Sequence, residues 1–142
     1  MKGKCIVIFT VFVFVVYFLS LEAWGSDWKY VDAPPDGVWL YDTQSVSRGQ
    51  DITSVWVKCI LSAQGKTRRI QESPKINGIE NISYIIQRVE INCSMNVLRL
   101  MALSLYNSKG GVIGSGNPQE PGQLEDVFPG SVGDTLVKAV CK

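Results

Sequence analysis

The chain has 142 residues, of which 46% are hydrophobic and 19% are charged. This length suits one domain with a single hydrophobic core. The chain contains 14 lysine and arginine residues and 13 aspartate and glutamate residues. This near-neutral balance argues against a protein that binds nucleic acid by neutralising phosphates. Because there is no histidine, a Ser-His-Asp triad, a Cys-His dyad and a histidine-containing zinc site within the chain are excluded.

The N-terminal segment has the layout of a secretory signal peptide. Two lysines open it, and the apolar run from Cys5 to Leu21 follows. Small residues at Ala23 and Gly25 form an A-x-A-like site. We therefore expect residues 1–25 to be the signal peptide and residues 26–142 to be the mature domain, without stable membrane insertion. The alternative is an uncleaved anchor, because the run approaches the roughly 18 residues that span a bilayer. A lipoprotein is disfavoured, since the nearest cysteine precedes the apolar run instead of following it.

Short β-branched and aromatic runs predict strands in the first half of the mature chain. The predicted strands cover residues 28–31, 38–41 and 51–61. In the third of these, Trp56 and Lys58 share one face, opposite the alternating apolar side chains. The stretch Gln64–Lys66 contains a glycine and predicts a chain break, and residues 74–78 predict a loop.

The second half is predicted to continue the sheet and to end in one helix. The predicted strands cover residues 82–93, 97–106 and 112–113. The strand at 97–106 is apolar on both faces, which is typical of a central strand covered on both sides. Residues 114–129 predict an irregular loop, and Ser131 can cap an amphipathic helix with an apolar stripe from Val132 to Val140. The predicted fold is α+β, a mostly antiparallel β-sheet of about six strands with one C-terminal amphipathic helix packed on it.

Four stretches of the chain resemble, in the same order, the bacterial surface-adhesin protein E-like family. The sequence PGSVGDTLVKAVCK, Pro129–Lys142, resembles the closing motif of the family and is the most specific of the four. The other three resemble the family's "YYD..SI", "VWVK" and "DC…R-L" elements, and they lie at Trp39–Val46, Val55–Lys58 and Cys93–Leu100. The resemblance covers about Trp28 to Lys142, which is most of the mature chain.

The resemblance implies a small antiparallel sheet with a helix packed against it. It also implies an exported, non-enzymatic protein that is a homodimer in some members. Family members studied as adhesins bind host extracellular-matrix proteins such as vitronectin and laminin. This chain lacks the lipobox that would tether such an adhesin to the outer membrane, so a periplasmic or secreted protein is as strongly indicated as one on the cell surface.

Three cysteines remain in the mature chain, so at most one internal disulfide can form. Three pairings are open among Cys59, Cys93 and Cys141. We predict the Cys93–Cys141 bridge, because Cys93 ends a strand and Cys141 lies in the last turn of a helix that must pack on the sheet. The family resemblance covers these two cysteines and leaves Cys59 out. Cys59 is then expected to be a buried thiol, with intermolecular pairing as the second interpretation.

Basic residues and one tryptophan are the candidates for binding a partner. The basic cluster along one strand and the following loop comprises Lys58, Lys66, Arg68, Arg69 and Lys75. It could meet an acidic partner, such as a heparin-like glycan or an acidic matrix protein. The interpretation that we favour is a solvated strand edge, where basic side chains block edge-to-edge pairing. Among the aromatic residues, Trp56 is the best interface candidate because it lies opposite the apolar face of its strand.

We therefore predict an exported binding module that uses no cofactor and no metal. Its partner would be a protein, either from the host matrix or from the bacterial envelope, and not a nucleic acid. One alternative is a periplasmic accessory protein that binds another envelope protein. A carboxylate-based hydrolase is disfavoured, because Asp36, Asp42 and Asp51 lie in turn-prone stretches and nothing in the sequence pairs them for acid–base work.

Overall fold

A computed structural model describes residues 25–116 and 122–142. The predicted signal peptide therefore lies almost wholly outside the described residues, as does part of the predicted loop at 114–129. The described strands are β1 (Trp28–Asp32), β2 (Gly37–Asp42), β3 (Ser47–Arg48), β4 (Ile52–Leu61), β5 (Ile82–Asn92), β6 (Val97–Asn107), β7 (Val112–Gly116) and β8 (Glu125–Asp126). The described helices are α1 (Ala63–Glu72) and α2 (Val132–Val140), with 3₁₀ turns at Thr43–Ser45 and Ile79–Asn81.

The strands form one antiparallel sheet in the order β1-β2-β4-β5-β6-β7. The antiparallel sheet and the C-terminal helix are confirmed, and all six predicted strands are present. The strand number was underestimated, because β3 pairs with β4 and β8 pairs with β6 over only two residues each. Strands this short leave no alternation to detect in a sequence. The predicted loop also begins too early, since β7 continues to Gly116.

Helix α1 occupies the stretch that the sequence predicted to be a chain break, and that prediction was wrong. Ser62 caps the helix, its Oγ accepting a hydrogen bond from the backbone N–H of Gly65 at 3.1 Å. A Cβ at residue 65 would overlap the carbonyl oxygen of Asp36 in the turn between β1 and β2. Glycine is needed here so that the helix can approach that turn closely, although it lowers helix propensity by about 1 kcal/mol relative to alanine.

Both helices cover the same face of the sheet, and the core lies between them and the strands. Helix α2 packs its buried stripe on apolar side chains of β4 and β5, the cluster comprising Val55, Val57, Val89, Ile91, Leu136, Val137 and Val140 with Val31 and Val127. A second cluster lies under α1 and the segment that follows it, and it comprises Cys59, Leu61, Ile79, Ile82, Ile85 and Leu105, with Ile70 and Ile76 against it. We call this side of the sheet the covered face.

Strand β6 differs from its prediction. It lies between β5 on one side and β7 and β8 on the other, as a central strand should. Most of its residues are only half-buried, however. Both described helices pack on the covered face. The side chains that β6 carries on the other face of the sheet have no helix over them, so the prediction of a strand covered on both faces was wrong.

The disulfide between Cys93 and Cys141 fastens α2 to the end of β5, as the sequence and the family resemblance predicted. At the other end of the helix, Ser131 Oγ accepts a hydrogen bond from the Asp134 N–H at 3.1 Å, which confirms the predicted cap. The Asp134 carboxylate in turn accepts hydrogen bonds from the Gly130 N–H at 2.9 Å and from the Lys138 ammonium at 2.8 Å. Both ends of α2 are therefore fixed, and the helix stays packed over the apolar side chains at one end of the covered face.

Candidate functional site

The face of the sheet opposite the helices is the candidate binding surface, and we call it the open face. The strand register places on it the side chains of Trp28, Tyr30, Val38, Leu40, Trp56, Lys58, Ile60, Tyr84, Ile86, Arg88, Ala102, Ser104 and Tyr106. Several of these are large and exposed, with 63% of Tyr30, 44% of Ile60 and 38% of Trp56 accessible to solvent. Antiparallel sheets commonly have one solvated face, but such a face usually carries polar side chains. Aromatic and aliphatic side chains in this number indicate an interaction surface.

Trp56 lies in the middle strands of the open face, as the alternation in β4 predicted. Its neighbours Val55 and Val57 are buried on the covered face. The Trp56 backbone N–H donates to Ser45 Oγ at 2.9 Å, which ties β4 to the preceding 3₁₀ turn at this point. Across the β4–β5 pairing, Trp56 lies directly opposite Arg88. A rigid aromatic side chain and a guanidinium group therefore occupy adjacent positions on the same face.

Lys58 contacts two aromatic rings on the open face. Its ammonium nitrogen lies 4.4 Å from the centroid of the Tyr84 ring and 5.5 Å from that of the Trp28 ring. Both distances fall within the range of a cation–π attraction. Tyr84 is itself stacked on Tyr106, with ring centroids 4.8 Å apart and an angle of 4° between the rings. The rings thus fix the position of the Lys58 side chain, which would otherwise sample many rotamers.

The carboxylates on the open face already have partners. Asp42 is buried, and its Oδ1 accepts hydrogen bonds from the backbone N–H groups of Asp27 and Gln44. Glu90 accepts two hydrogen bonds from the Arg99 guanidinium, at 2.9 and 2.7 Å. Lys58 and Arg88, in contrast, form no ion pair within residues 25–116 and 122–142. The middle of the open face therefore holds two cations that have no ion-pair partner in the described part of the chain.

The structure divides the predicted basic cluster. Lys58 is on the open face, whereas Lys66, Arg68 and Arg69 belong to α1 behind the covered face. Arg68 pairs with Asp36 at 2.5 Å and with Glu72 at 3.6 Å, and Arg69 pairs with Glu72 at 3.2 Å. The arginines are thus engaged with carboxylates on the protein itself. Lys58 does not protect a strand edge either, because β4 is paired on both sides.

Cys59 is buried under α1, and its chemistry follows from that position. Burial is the main cause that raises the pKa of its thiol to about 11, and Asp36 adds to it, while Arg69 and Arg68 oppose the shift. The thiol is therefore protonated at neutral pH and is a poor nucleophile. This agrees with the expected role of Cys59 as a buried thiol.

The carboxylates considered for catalysis have structural roles or stand apart. Asp36 pairs with Arg68 beside α1, and Asp42 caps the 3₁₀ turn at Thr43–Ser45, while Asp51 is exposed in a loop. Across the two described ranges, no three His, Cys, Asp or Glu side chains are grouped so that they could hold a metal ion. No helix in the described part of the chain has the length and apolar character needed to cross a membrane.

Two features of the open face were not found by sequence reasoning. The sequence patterns predict neither the place of Arg88 opposite Trp56 nor the stacking of Tyr84 on Tyr106. Strand alternation puts Arg88 on a given side, but its neighbour on β4 depends on the register of β4 with β5. The contact of Lys58 with Trp28 and Tyr84 depends on the order of β1, β2, β4 and β5 in the sheet, which short-range patterns do not contain.

Comparison with known proteins gives the family. A family model described as surface-adhesin protein E matches residues 28–142. The chain belongs to the surface-adhesin protein E family. The family is described as a surface adhesin, a non-enzymatic kind of protein, which indicates a binding protein that is exported or lies at the cell surface. No curated protein gives a significant match to the sequence.

Solved structures of protein E share the fold. One structure of Haemophilus influenzae protein E is 12% identical, with a TM-score of 0.55, and the match covers 82% of this chain and 88% of that one. A second crystal form of the same protein is 13% identical, with a TM-score of 0.51, covering 82% of this chain and 91% of that one. At such low identity these matches establish the fold and leave the binding residues to be argued from this chain.

Proposed function

We propose that this protein E family member is a non-enzymatic binding module that holds a protein partner against its open face. The observation that carries the proposal is the exposure of Trp56, opposite Arg88 and on the same strand face as Ile60, on a side of the sheet that neither described helix covers. Tryptophan and arginine dominate binding energy at protein interfaces because they bury large areas and keep a polar group for hydrogen bonding. Trp56 would therefore be the central anchor of the contact.

A host extracellular-matrix protein is the partner class that we propose first, because the family consists of surface adhesins. An envelope protein of the bacterium itself is the second candidate. Export rests on the predicted signal peptide, and the intact mass of the protein from its native host tests cleavage after Gly25.

Binding assays with a tryptophan variant test the proposal. Purified mature protein is applied to immobilised vitronectin, laminin and a bacterial envelope extract, and the partner that binds is used to measure Kd. We expect Trp56→Ala to weaken this binding about tenfold or more, because truncation of a central aromatic anchor commonly costs at least 1–2 kcal/mol.

Phe128→Ala is the matched control for Trp56→Ala. Phe128 is more exposed than Trp56, at 71%, but it precedes α2 and lies away from the open face. Its substitution should leave Kd unchanged, and both variants should keep the wild-type melting temperature. Wild-type affinity in Trp56→Ala would contradict the proposal, and equal losses in the two variants would show that the contact is not confined to the open face.

A further inference from the structure

We propose that the segment of the partner protein that contacts the open face is acidic, and that its carboxylates pair with Lys58, two residues along β4 from the Trp56 anchor, and with Arg88, opposite Trp56 on β5. The inference rests on the proposed function, because it names the chemistry of the partner at that same face. It is carried by the lack of an ion-pair partner for these two cations in the described residues and by the surroundings of each of them.

The unpaired state of Lys58 and Arg88 is the first step. The chain has nearly equal numbers of acidic and basic residues, but not every cation of the described residues has a carboxylate partner. On the covered side, Arg68, Arg69 and Lys138 each pair with a carboxylate of this chain. On the open face Glu90 pairs with Arg99, and Asp42 is buried and bonded to backbone N–H groups, whereas Lys58 and Arg88 have no ion-pair partner in the described residues. A face with this charge attracts and orients a negatively charged partner.

The restraint on Lys58 is the second step. A free lysine side chain loses conformational entropy when it forms an ion pair, which makes surface ion pairs weak. The Trp28 and Tyr84 rings already hold the Lys58 ammonium group, at 5.5 and 4.4 Å from their centroids. Part of that entropy is therefore lost on folding, before any partner arrives. A carboxylate that meets this ammonium group gains more binding free energy than it would from a mobile lysine.

The surroundings of Arg88 are the third step. On β6 its direct neighbour is Ala102, which is too small to cover the guanidinium group, and on β4 its neighbour is Trp56. The exposed guanidinium group keeps its donors free for a carboxylate, which it can bind through two parallel hydrogen bonds. A tryptophan next to it excludes water on one side, and this strengthens the ion pair.

An acidic protein segment fits this surface better than a sulfated glycan or a second copy of the chain. A sulfated glycan would meet only two unpaired cations and would leave Tyr30, Val38 and Ile60 without apolar partners. A symmetric contact between two open faces would bring the cations of one copy towards those of the other. A protein segment with alternating acidic and apolar side chains satisfies the cations and the apolar residues together.

Selection from a peptide library tests the inference while the natural partner is still unidentified. A phage-displayed library of random 12-residue peptides is selected on the intact mature protein, and enriched peptides are synthesised. We expect enriched peptides to combine aspartate or glutamate with aliphatic or aromatic residues. Their binding should fall about tenfold in Arg88→Gln and in Lys58→Gln, since each variant removes one charged pair.

Lys66→Gln is the matched control, because Lys66 is also a lysine without an ion pair in the described residues but lies on α1. It should leave peptide affinity unchanged. The Lys58→Gln variant removes a contact with two rings and could disturb the fold. Arg88 is exposed, so Arg88→Gln should fold normally and still tests the inference.

The outcomes separate this inference from the proposed function. Neutral or basic peptides that require Trp56 but tolerate Arg88→Gln would overturn the acidic partner and leave the open face as the binding surface. Peptides that are insensitive to Trp56→Ala would overturn both. Binding of heparin in place of any acidic peptide would assign the cations to a glycan. Dimerisation that is abolished by Trp56→Ala would assign the face to a second copy.

Discussion

The two faces of the sheet are built from the same strands but use their side chains differently. In β4, Val55 is 1% exposed on the covered face, whereas Trp56, the next residue, is 38% exposed on the open face. Apolar side chains on the covered face contact one another and the two helices. Apolar side chains on the open face contact cations, other rings and solvent. The covered face therefore holds the packed core that stabilises the fold, so side chains on the open face can be replaced at little cost in stability.

Removal of the disulfide should have the largest effect on the covered face. Replacing Cys93 and Cys141 with alanine opens a loop between positions 48 residues apart, which costs about 4 kcal/mol in the chain-entropy model. We expect the melting temperature to fall by more than about 10 °C, measured by circular dichroism under non-reducing conditions. Cys59→Ala, which removes a buried thiol but no bridge, should cost only about 1 kcal/mol. A double variant as stable as wild type would show that α2 holds its place without the bridge.

Truncation of one apolar side chain on each face should measure how far the two faces differ in stability. Leu136 is 3% exposed in the α2 cluster, and Leu136→Ala should lower the free energy of unfolding by about 3 kcal/mol. Ile60→Ala, on the open face, should lower it by less than about 1 kcal/mol. Urea unfolding of the two variants gives both values. Equal losses of unfolding free energy in the two variants would contradict the distinction between the faces. They would show that the Ile60 side chain is buried in solution, although it is exposed in the structure.

The smallest effect is expected where an interaction of α2 is exposed to solvent. Hydrogen bonds from Lys138 and from the Gly130 N–H hold the pKa of the Asp134 carboxyl below its usual value of 3.8. A lowered pKa means that the folded state favours the carboxylate, so this stabilisation is present above pH 3.8 and is lost as the pH falls through the lowered pKa. Asp134→Asn should therefore lower the melting temperature slightly at pH 7.

Melting curves of the wild type and of Asp134→Asn between pH 7 and pH 2 check this prediction. The difference in melting temperature should stay constant down to about pH 4 and then shrink towards zero. Lys138→Gln is a useful companion, because it removes the ammonium group and keeps the carboxyl. A difference in melting temperature that persists at pH 2 would contradict this prediction. It would show that Asp134→Asn changes stability through hydrogen bonds at the start of the helix and not through the loss of charge.

The sequence predicted those parts of the molecule that depend on neighbours close in the chain. Alternation in β4 predicted that Trp56 and Lys58 share a face, and the Ser131 cap with its apolar stripe predicted α2. Helix α1 was missed because a glycine such as Gly65 indicates a chain break in the local sequence. The structure needs glycine there because the carbonyl group of Asp36, far away in the sequence, leaves no room for a Cβ. The pairing of Trp56 with Arg88 depends on the register between β4 and β5, and the two rings at Lys58 come from β1 and β5. These contacts are set by tertiary structure.

The place of Cys59 in the paired strands β4 and β5 bears on how the chain acquires its correct bridge. Cys59 and Cys93 both precede Cys141, so a chain that enters an oxidising compartment amino terminus first exposes the wrong pair of thiols before the right one. In this antiparallel pair, Cys59 lies opposite Ile85, and Cys93 follows Ile85 by eight residues, a distance of about 27 Å along an extended strand. A disulfide requires Cα atoms within about 7 Å of each other. Once β4 and β5 are paired, their register therefore holds Cys59 and Cys93 too far apart to form a disulfide, and Cys93 stays available for Cys141.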